Sequence, residues 1–390
     1  MRVRAMLLTL VTVLASTFLV GGPAQAATYE STFTNMNVPE FTNSGNQLVT
    51  VSGRITPAPV AGRTISLYRV QGDGSTTFVQ GTTADAAGNW AMTFAVSVVS
   101  TYRFFAARFV SGSNTYKQVT SPNYTVKSLR LWDSFDYPSR TELQNSGKWQ
   151  LRQGTYETSP QVHNRSSWSA ISMHADSPSA VQFNIVADTP AADGSPRYLS
   201  PQITAGNLGV VNGHLEARIK FQKPKGAHGA LWWQSGYGAG GGEFDVAEFF
   251  GKRGDAEQPP FLSQAVQHTI HPTLQTQACF KSWTTTGSTG GGCTGTDHEF
   301  LNYDNNTWWN DWHTYEGFWS SDRYIFSIDG RRVGEIGPAQ GVTPATTPGE
   351  VILSLLVSDG NEYDNLRAHL AGGGQLSDYR MLVDWVRLWR

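Results

Sequence analysis

The chain has 390 residues, with 29 Lys+Arg against 31 Asp+Glu and a formal net charge of -2. That near-neutral balance points away from nucleic acid and other polyanionic partners. Charged residues make up 15% and aromatics 12%, with 13 Trp and 14 Tyr, so contacts by stacking and hydrogen bonding are expected to outweigh contacts by charge. The 39% of hydrophobic residues suffices for a core, the length suits about two domains, and disorder, collagen and coiled coil are excluded.

In chain order, the first four residues carry two positive charges, residues 5–20 are an almost unbroken apolar run, and Ala24-Gln25-Ala26 is a small-x-small cleavage site. The expectation is a secretory signal peptide over residues 1–26 and a secreted, extracellular mature protein. An uncleaved anchor is the alternative, for which the run is somewhat short against the roughly 20 residues of a membrane span.

Residues 27–127 read as short strands with turns between them. The segments 48–51, 64–69, 90–94, 101–109 and 124–126 are rich in Val, Thr, Ile and aromatics, and Gly72-Asp73-Gly74 and Gly88-Asn89 supply turns. About seven strands in some 100 residues predict an immunoglobulin-like sandwich without the inter-sheet Cys pair. It resembles the Ig-like modules of bacterial secreted hydrolases, and either binds glycan or cell surface or acts as a spacer.

Residues 128–390 are again strand-rich. His214-Leu-Glu-Ala-Arg-Ile-Lys-Phe221 alternates polar and apolar, Tyr324-Ile-Phe-Ser-Ile-Asp-Gly330 with Arg331-Arg-Val333 predicts a hairpin turning at Asp329-Gly330, and Leu382-Val-Asp-Trp-Val-Arg-Leu-Trp389 alternates again. No amphipathic helix of ordinary length is expected. The length fits a curved two-sheet jelly roll, giving an all-β chain overall.

The chemistry concentrates in Glu243-Phe-Asp245-Val-Ala-Glu248. At period two, Glu243 and Asp245 share a face and Glu248 points away, unless a bulge at Val246-Ala247 returns it to that face. Three crowded carboxyls keep one protonated beside an ionised neighbour, the acid and nucleophile pairing that glycoside hydrolysis requires. The plainer alternatives are the wet face of a sheet and a cation site.

These residues resemble the E-x-D-x-x-E signature of glycoside hydrolase family 16, in the bulged form of its laminarinase-like branch. Gly213-His-Leu-Glu-Ala-Arg-Ile-Lys220, Ala230-Leu-Trp-Trp233, His268-Thr-Ile-His271, His313-Thr-Tyr-Glu-Gly-Phe-Trp319 and Val383-Asp-Trp-Val-Arg387 follow in that family's order. The resemblance implies a concanavalin-like jelly roll and a retaining mechanism, with Glu243 as nucleophile, Glu248 as acid/base and Asp245 as the helper that tunes the nucleophile. Departures at His214, Phe244, residues 238–242 and Ser354-Leu-Leu-Val-Ser-Asp359 leave the sugar specificity open.

For substrate binding, the resemblance favours Trp232 as a sugar platform, and His271 resembles the family's cleft histidine, with a structural histidine as the alternative. Trp233 is a further candidate, although adjacent residues on a strand face opposite ways. Trp308, with Trp309 and Trp312, forms either a subsite or core. Cys279 and Cys293 are expected to form a disulfide in an oxidising compartment; a zinc site with His268, His271 or His298 is the alternative. Gly236-Tyr-Gly-Ala-Gly-Gly-Gly242 lacks the Lys-Ser/Thr of a phosphate loop and leads into a strand.

The expected partner is a polysaccharide, with no nucleic acid and no membrane after signal cleavage, and a monomer is anticipated. No cofactor is required, and structural calcium is left open. The leading activity is endo-acting retaining hydrolysis of β-1,3-glucan. The alternatives are a mixed-linkage β-glucan or β-galactan substrate, and a lectin-like protein without turnover.

Overall fold

The computed structural model describes residues 26–152, 164–174, 180–235, 242–251, 266–273, 276–282, 311–336, 344–358 and 360–390. Strands dominate throughout, and the chain falls into two compact units. One contains residues up to Val38, Thr50–Thr93 and Thr101–Tyr124, and the other Pro39–Val49, Phe94–Ser100 and Thr125–Arg390.

The N-terminal strands form a three-stranded sheet, Thr32–Asn37, Leu48–Thr56 and Asn89–Ala95, and a four-stranded sheet ordered Val119–Val126, Ser100–Ala106, Thr64–Val70 and Thr76–Thr83. Alternation fixes which side is buried: Ile65 and Leu67 on one strand, and Trp90 and Met92 on another, point inward. Trp90 from the first sheet meets Phe104 from the second at a centroid distance of 5.1 Å, which makes the pair of sheets a sandwich. Two details differ from the sequence expectation. The segment expected as one strand over 101–109 is broken, since Ser100–Ala106 ends before a separate short strand at Phe109–Ser111. Thr76–Thr83 is a strand without a buried residue, so the hydrophobic alternation that reveals a strand is missing there.

The larger unit is a jelly-roll sandwich. Its outer sheet runs Ile171–His174, Ala180–Asn184, Arg380–Trp389, Gly213–Lys220, His313–Trp319, Tyr324–Ile328 and Arg331–Ile336, with Leu129–Asp133 also paired to Arg380–Trp389. Its site-bearing sheet runs Gln150–Leu151, Gln202–Val210, Gly349–Leu356, His228–Gln234, Glu243–Phe249, Val266–Thr273 and Thr276–Ser282. Neighbouring strands of that sheet are antiparallel.

Between the sheets lies one apolar core that includes Leu215, Ala217, Ile219, Trp233, Phe244, Trp319, Phe326 and Leu353. The layers approach closely because Gly317 lacks a side chain: a Cβ there would fall 2.5 Å from the Phe244 ring and 2.6 Å from Val246. The expected hairpin is present, with Asp329 and Gly330 at φ 50° and 72° between its strands, as a primed two-residue turn requires. Near the start of the unit, buried Asp133 accepts hydrogen bonds from Trp149 Nε1 and the Tyr137 hydroxyl, both at 2.8 Å, and from Phe135 N–H at 2.9 Å. Burial, the largest cause, pushes the Tyr137 hydroxyl up to about 12.

The expected absence of an ordinary helix is corrected by Asn361–Ala371, 11 residues long. Its inward residues Tyr363 and Leu366 join the core, with Leu370 packed against it. The stripe is too narrow and too interrupted by polar residues to stand out as an amphipathic pattern.

Candidate active site

Glu243–Phe249 is an interior strand, hydrogen-bonded to His228–Gln234 on one edge and Val266–Thr273 on the other. Along the first edge Ala247 lies opposite Leu231 and Asp245 opposite Trp232, which leaves Val246 as an extra residue. The second edge agrees: two residues separate Asp245 from Glu248 while one separates their partners Thr269 and Gln267. This is a β-bulge at the expected place. It turns Phe244, Val246, Ala247 and Phe249 into the core and leaves all three carboxylates on the other face. Asp245 is 4% exposed, Glu248 8%, and Glu243 is half-buried.

Each carboxylate has a different environment. Glu243 Oε2 accepts a hydrogen bond from Gln234 Nε2 at 2.6 Å, directly across the strand pair. Gln234 in turn accepts from the Arg152 guanidinium, which also donates to Glu350 Oε1 at 2.9 Å, while the Thr204 hydroxyl holds Glu350 Oε2 at 2.8 Å. Because Arg152 can only donate, it occupies the amide oxygen of Gln234 and aims the amide nitrogen at Glu243. That chain of contacts holds Glu243 as an acceptor in one orientation. Glu248 Oε1 lies 3.1 Å from His228 Nε2, and the His228 ring stacks on Phe250 at 4.3 Å.

Asp245 sits between them along the strand. Burial first, and then the charges of Glu248 and Glu243, raise its carboxyl well above the usual carboxylate range. A protonated Asp245 can donate a hydrogen bond where an ionised one would only repel. The strand thus presents an oriented carboxyl group at Glu243, a buried Asp245 that holds its proton more tightly than usual and a third carboxyl group, Glu248, beside an imidazole.

Trp232 shares the carboxylate face and contacts Ala230 and Ile352. Its Nε1 donates to the Ser354 hydroxyl at 3.2 Å, and the Arg152 guanidinium lies 4.6 Å from its ring centroid. Trp233 as a substrate contact is corrected: it is fully buried between the sheets, 5.3 Å from the Trp319 ring, because its neighbour Trp232 takes the opposite face of the strand. The register sets His271 opposite Glu243. Trp308, Trp309 and Cys293 lie outside the described residues, and Cys279 falls on the strand Thr276–Ser282.

Gln234, Arg152, Glu350 and His228 escaped the reading of the sequence. Gln234 carried a signal, since it lies two positions after Trp232 on the same face. Arg152 and Glu350 carried none, being brought together from segments 198 residues apart.

The family model for glycosyl hydrolases family 16 matches residues 162–387, more than half of the chain. The chain belongs to this family. As a family 16 member it is a glycoside hydrolase, and the matched span contains the bulged carboxylate strand and both sheets' central strands. Among solved structures, it is similar to the laminarinase catalytic domain from Thermotoga maritima MSB8, with 15% identity over 68% of this chain and 98% of that one and a TM-score of 0.47. An endo-β-1,3-glucanase from Pyrococcus furiosus matches at 17% identity over 67% of this chain and 94% of its own, with a TM-score of 0.44. SCLam, a non-specific endo-β-1,3(4)-glucanase of family 16, matches at 18% identity over 68% and 91%, with a TM-score of 0.47. No curated protein matches the chain.

Proposed function

We propose that the protein is an exported, endo-acting, retaining hydrolase of β-1,3-glucan. The observation that carries this reading is the bulged strand with Glu243, Asp245 and Glu248 on one face. In the first step the Glu243 carboxylate attacks the anomeric carbon while Glu248 gives its proton to the departing glycosidic oxygen. The new sugar–oxygen bond forms as the glycosidic bond breaks, leaving a glycosyl ester on Glu243. In the second step Glu248 takes a proton from water, whose oxygen displaces Glu243 and regenerates both groups. Gln234 positions the nucleophile, and protonated Asp245 stabilises the charge returning to it. The choice of β-1,3-glucan is supported by the laminarinase-like form of the signature, export by the N-terminal charge, apolar run and Ala24-Gln25-Ala26 site.

Reducing-end release from purified laminarin, mixed-linkage β-glucan and β-galactan, with product sizing, tests the proposal. Oligosaccharides of several lengths appearing early and fastest from laminarin are expected. Turnover confined to galactan, or release of a single small sugar from chain ends, would overturn the substrate or the endo mode.

A further inference from the structure

The charge balance of the whole chain conceals a local concentration of cations. Three of its eight lysines, Lys220, Lys223 and Lys225, fall within six residues, and together with Arg380 they line a cavity of about 820 Å3. The cavity floor is the outward face of the outer sheet. There the register sets Gln182 beside Leu382 and Leu382 beside Lys220, while their chain neighbours Val181, Ile219, Met381 and Val383 are fully buried in the core. This floor therefore faces away from the sheet that bears Glu243, Asp245 and Glu248.

None of the four cations is in a salt bridge among the described residues. The acidic side chain in the lining, Asp378, is already bound by His369 Nε2 at 2.9 Å and by the Gln375 N–H at 2.8 Å. An excess of positive charge around a concave site attracts an anion. The cavity is also within the roughly 300–1,000 Å3 of small-molecule sites, far larger than an inorganic anion needs.

A second feature narrows the ligand. Trp132 and Trp385, with ring centroids 6.0 Å apart, lie on the same sheet, and Trp132 is 40% exposed. Trp385 is three residues along the strand from Leu382, a distance of about 10 Å. The exposed Trp132 indole offers an apolar platform with a polar edge, suited to the flat face of a sugar ring, while the half-buried Trp385 ring carries the Arg387 guanidinium 5.1 Å from its centroid. Inorganic phosphate would use only the cations and a neutral glycan only the rings, whereas an acidic glycan uses both.

We propose that this outward face is a second, non-catalytic binding site for an acidic polysaccharide, one that bears carboxylate or sulfate groups. An anionic sugar residue sits among Lys220, Lys223, Lys225 and Arg380, and a further sugar of the chain lies against the exposed Trp132. Such a site tethers the hydrolase to charged polymers that accompany its substrate and raises its effective concentration there. It is independent of which neutral glucan the carboxylates cleave.

The test is calorimetric titration of the full chain with tetragalacturonate, a sulfated galacto-oligosaccharide, a neutral laminari-oligosaccharide and inorganic phosphate. Binding of an acidic oligosaccharide, weakened by salt, is expected, and whichever of the two binds identifies the charged group. Lys220→Gln, Lys223→Gln and Lys225→Gln combined should weaken it about tenfold, at a few tenths to 1 kcal/mol per exposed charge. Trp132→Ala should weaken it as well, and a triple Lys→Arg variant should retain it. In the lysine variants, neutral oligosaccharide affinity and hydrolysis of neutral polymer should stay unchanged, which separates this site from the catalytic reading. The proposal is overturned if neither acidic oligosaccharide binds, if the Gln variant binds as the parent does, or if phosphate binds as tightly and Trp132→Ala has no effect. A Gln variant that fails to fold shifts the decision to the single substitutions, read by the same titration.

Discussion

At the scale of single residues, the three carboxylates differ more by environment than by chemistry. Glu243 is held by the amide of Gln234, Glu248 lies beside His228, and Asp245 is buried between two like charges. On the proposed mechanism Glu243→Gln removes the nucleophile and Glu248→Gln the proton donor, so each should lower kcat by about a thousandfold or more. Asp245→Asn should cost less, and steady-state kinetics on the best polymer would show the order. Stability gives a separate check on Asp245. Its carboxyl titrates above the unfolded value of about 3.9, so from there up to the folded value the native state binds more protons than the unfolded chain. Stability contributed by this group therefore falls as pH rises through that window. Asp245→Asn should remove the fall and make the protein more stable than the parent at neutral pH. Thermal denaturation across this pH range measures it; parallel curves for both proteins would contradict the assignment. The carboxylates were legible in the sequence because like charges at near-period-two spacing have few structural uses. The chain Thr204–Glu350–Arg152–Gln234 was not, because only the sheet order brings its members together.

At the scale of elements, the bulge was legible from a conflict: Phe244, Val246 and Phe249 demanded a core face while Glu243, Asp245 and Glu248 demanded the other, and an extra residue reconciles both. What supports the bulge from behind was not legible. Gly317 on the facing sheet leaves room for Phe244 and Val246, the bulged residue itself. Gly317→Ala should overpack this point and cost about 1–3 kcal/mol, and should lower kcat with little change in KM by shifting the carboxylates out of alignment. Denaturant unfolding together with initial rates would reveal it, and unchanged values of both would show that the layers have slack. The Asn361–Ala371 helix and the Thr76–Thr83 edge strand stayed hidden for one reason: neither buries enough apolar surface to impose a period on its sequence.

At the scale of the whole molecule, the alternating strands of the larger unit announced a two-sheet fold, and the family match over residues 162–387 agrees with it. The N-terminal sandwich supplies none of the three carboxylates. Residues 39–49 and 94–100, however, group with the larger unit. A chain starting at Ser128 is expected to fold and to hydrolyse short soluble oligosaccharides, and because it lacks those residues it should melt a few degrees lower than the full chain. If the N-terminal sandwich binds glycan, that shortened chain should lose activity selectively on insoluble polymer; equal losses on both substrates would make the sandwich a structural support. Paired assays on soluble and insoluble β-1,3-glucan distinguish these outcomes.

The central claim is that the bulge brings a nucleophile and an acid/base close enough for double displacement, which needs carboxyl groups about 5 to 5.5 Å apart against roughly 6.5 to 9.5 Å for direct attack by water. Proton NMR of the sugar first released from a β-linked glucan, recorded before mutarotation equilibrates the anomers, reads this out. The β anomer is the predicted first product. An initial α anomer would contradict the account, because it requires water to attack directly and leaves Glu243 no covalent role.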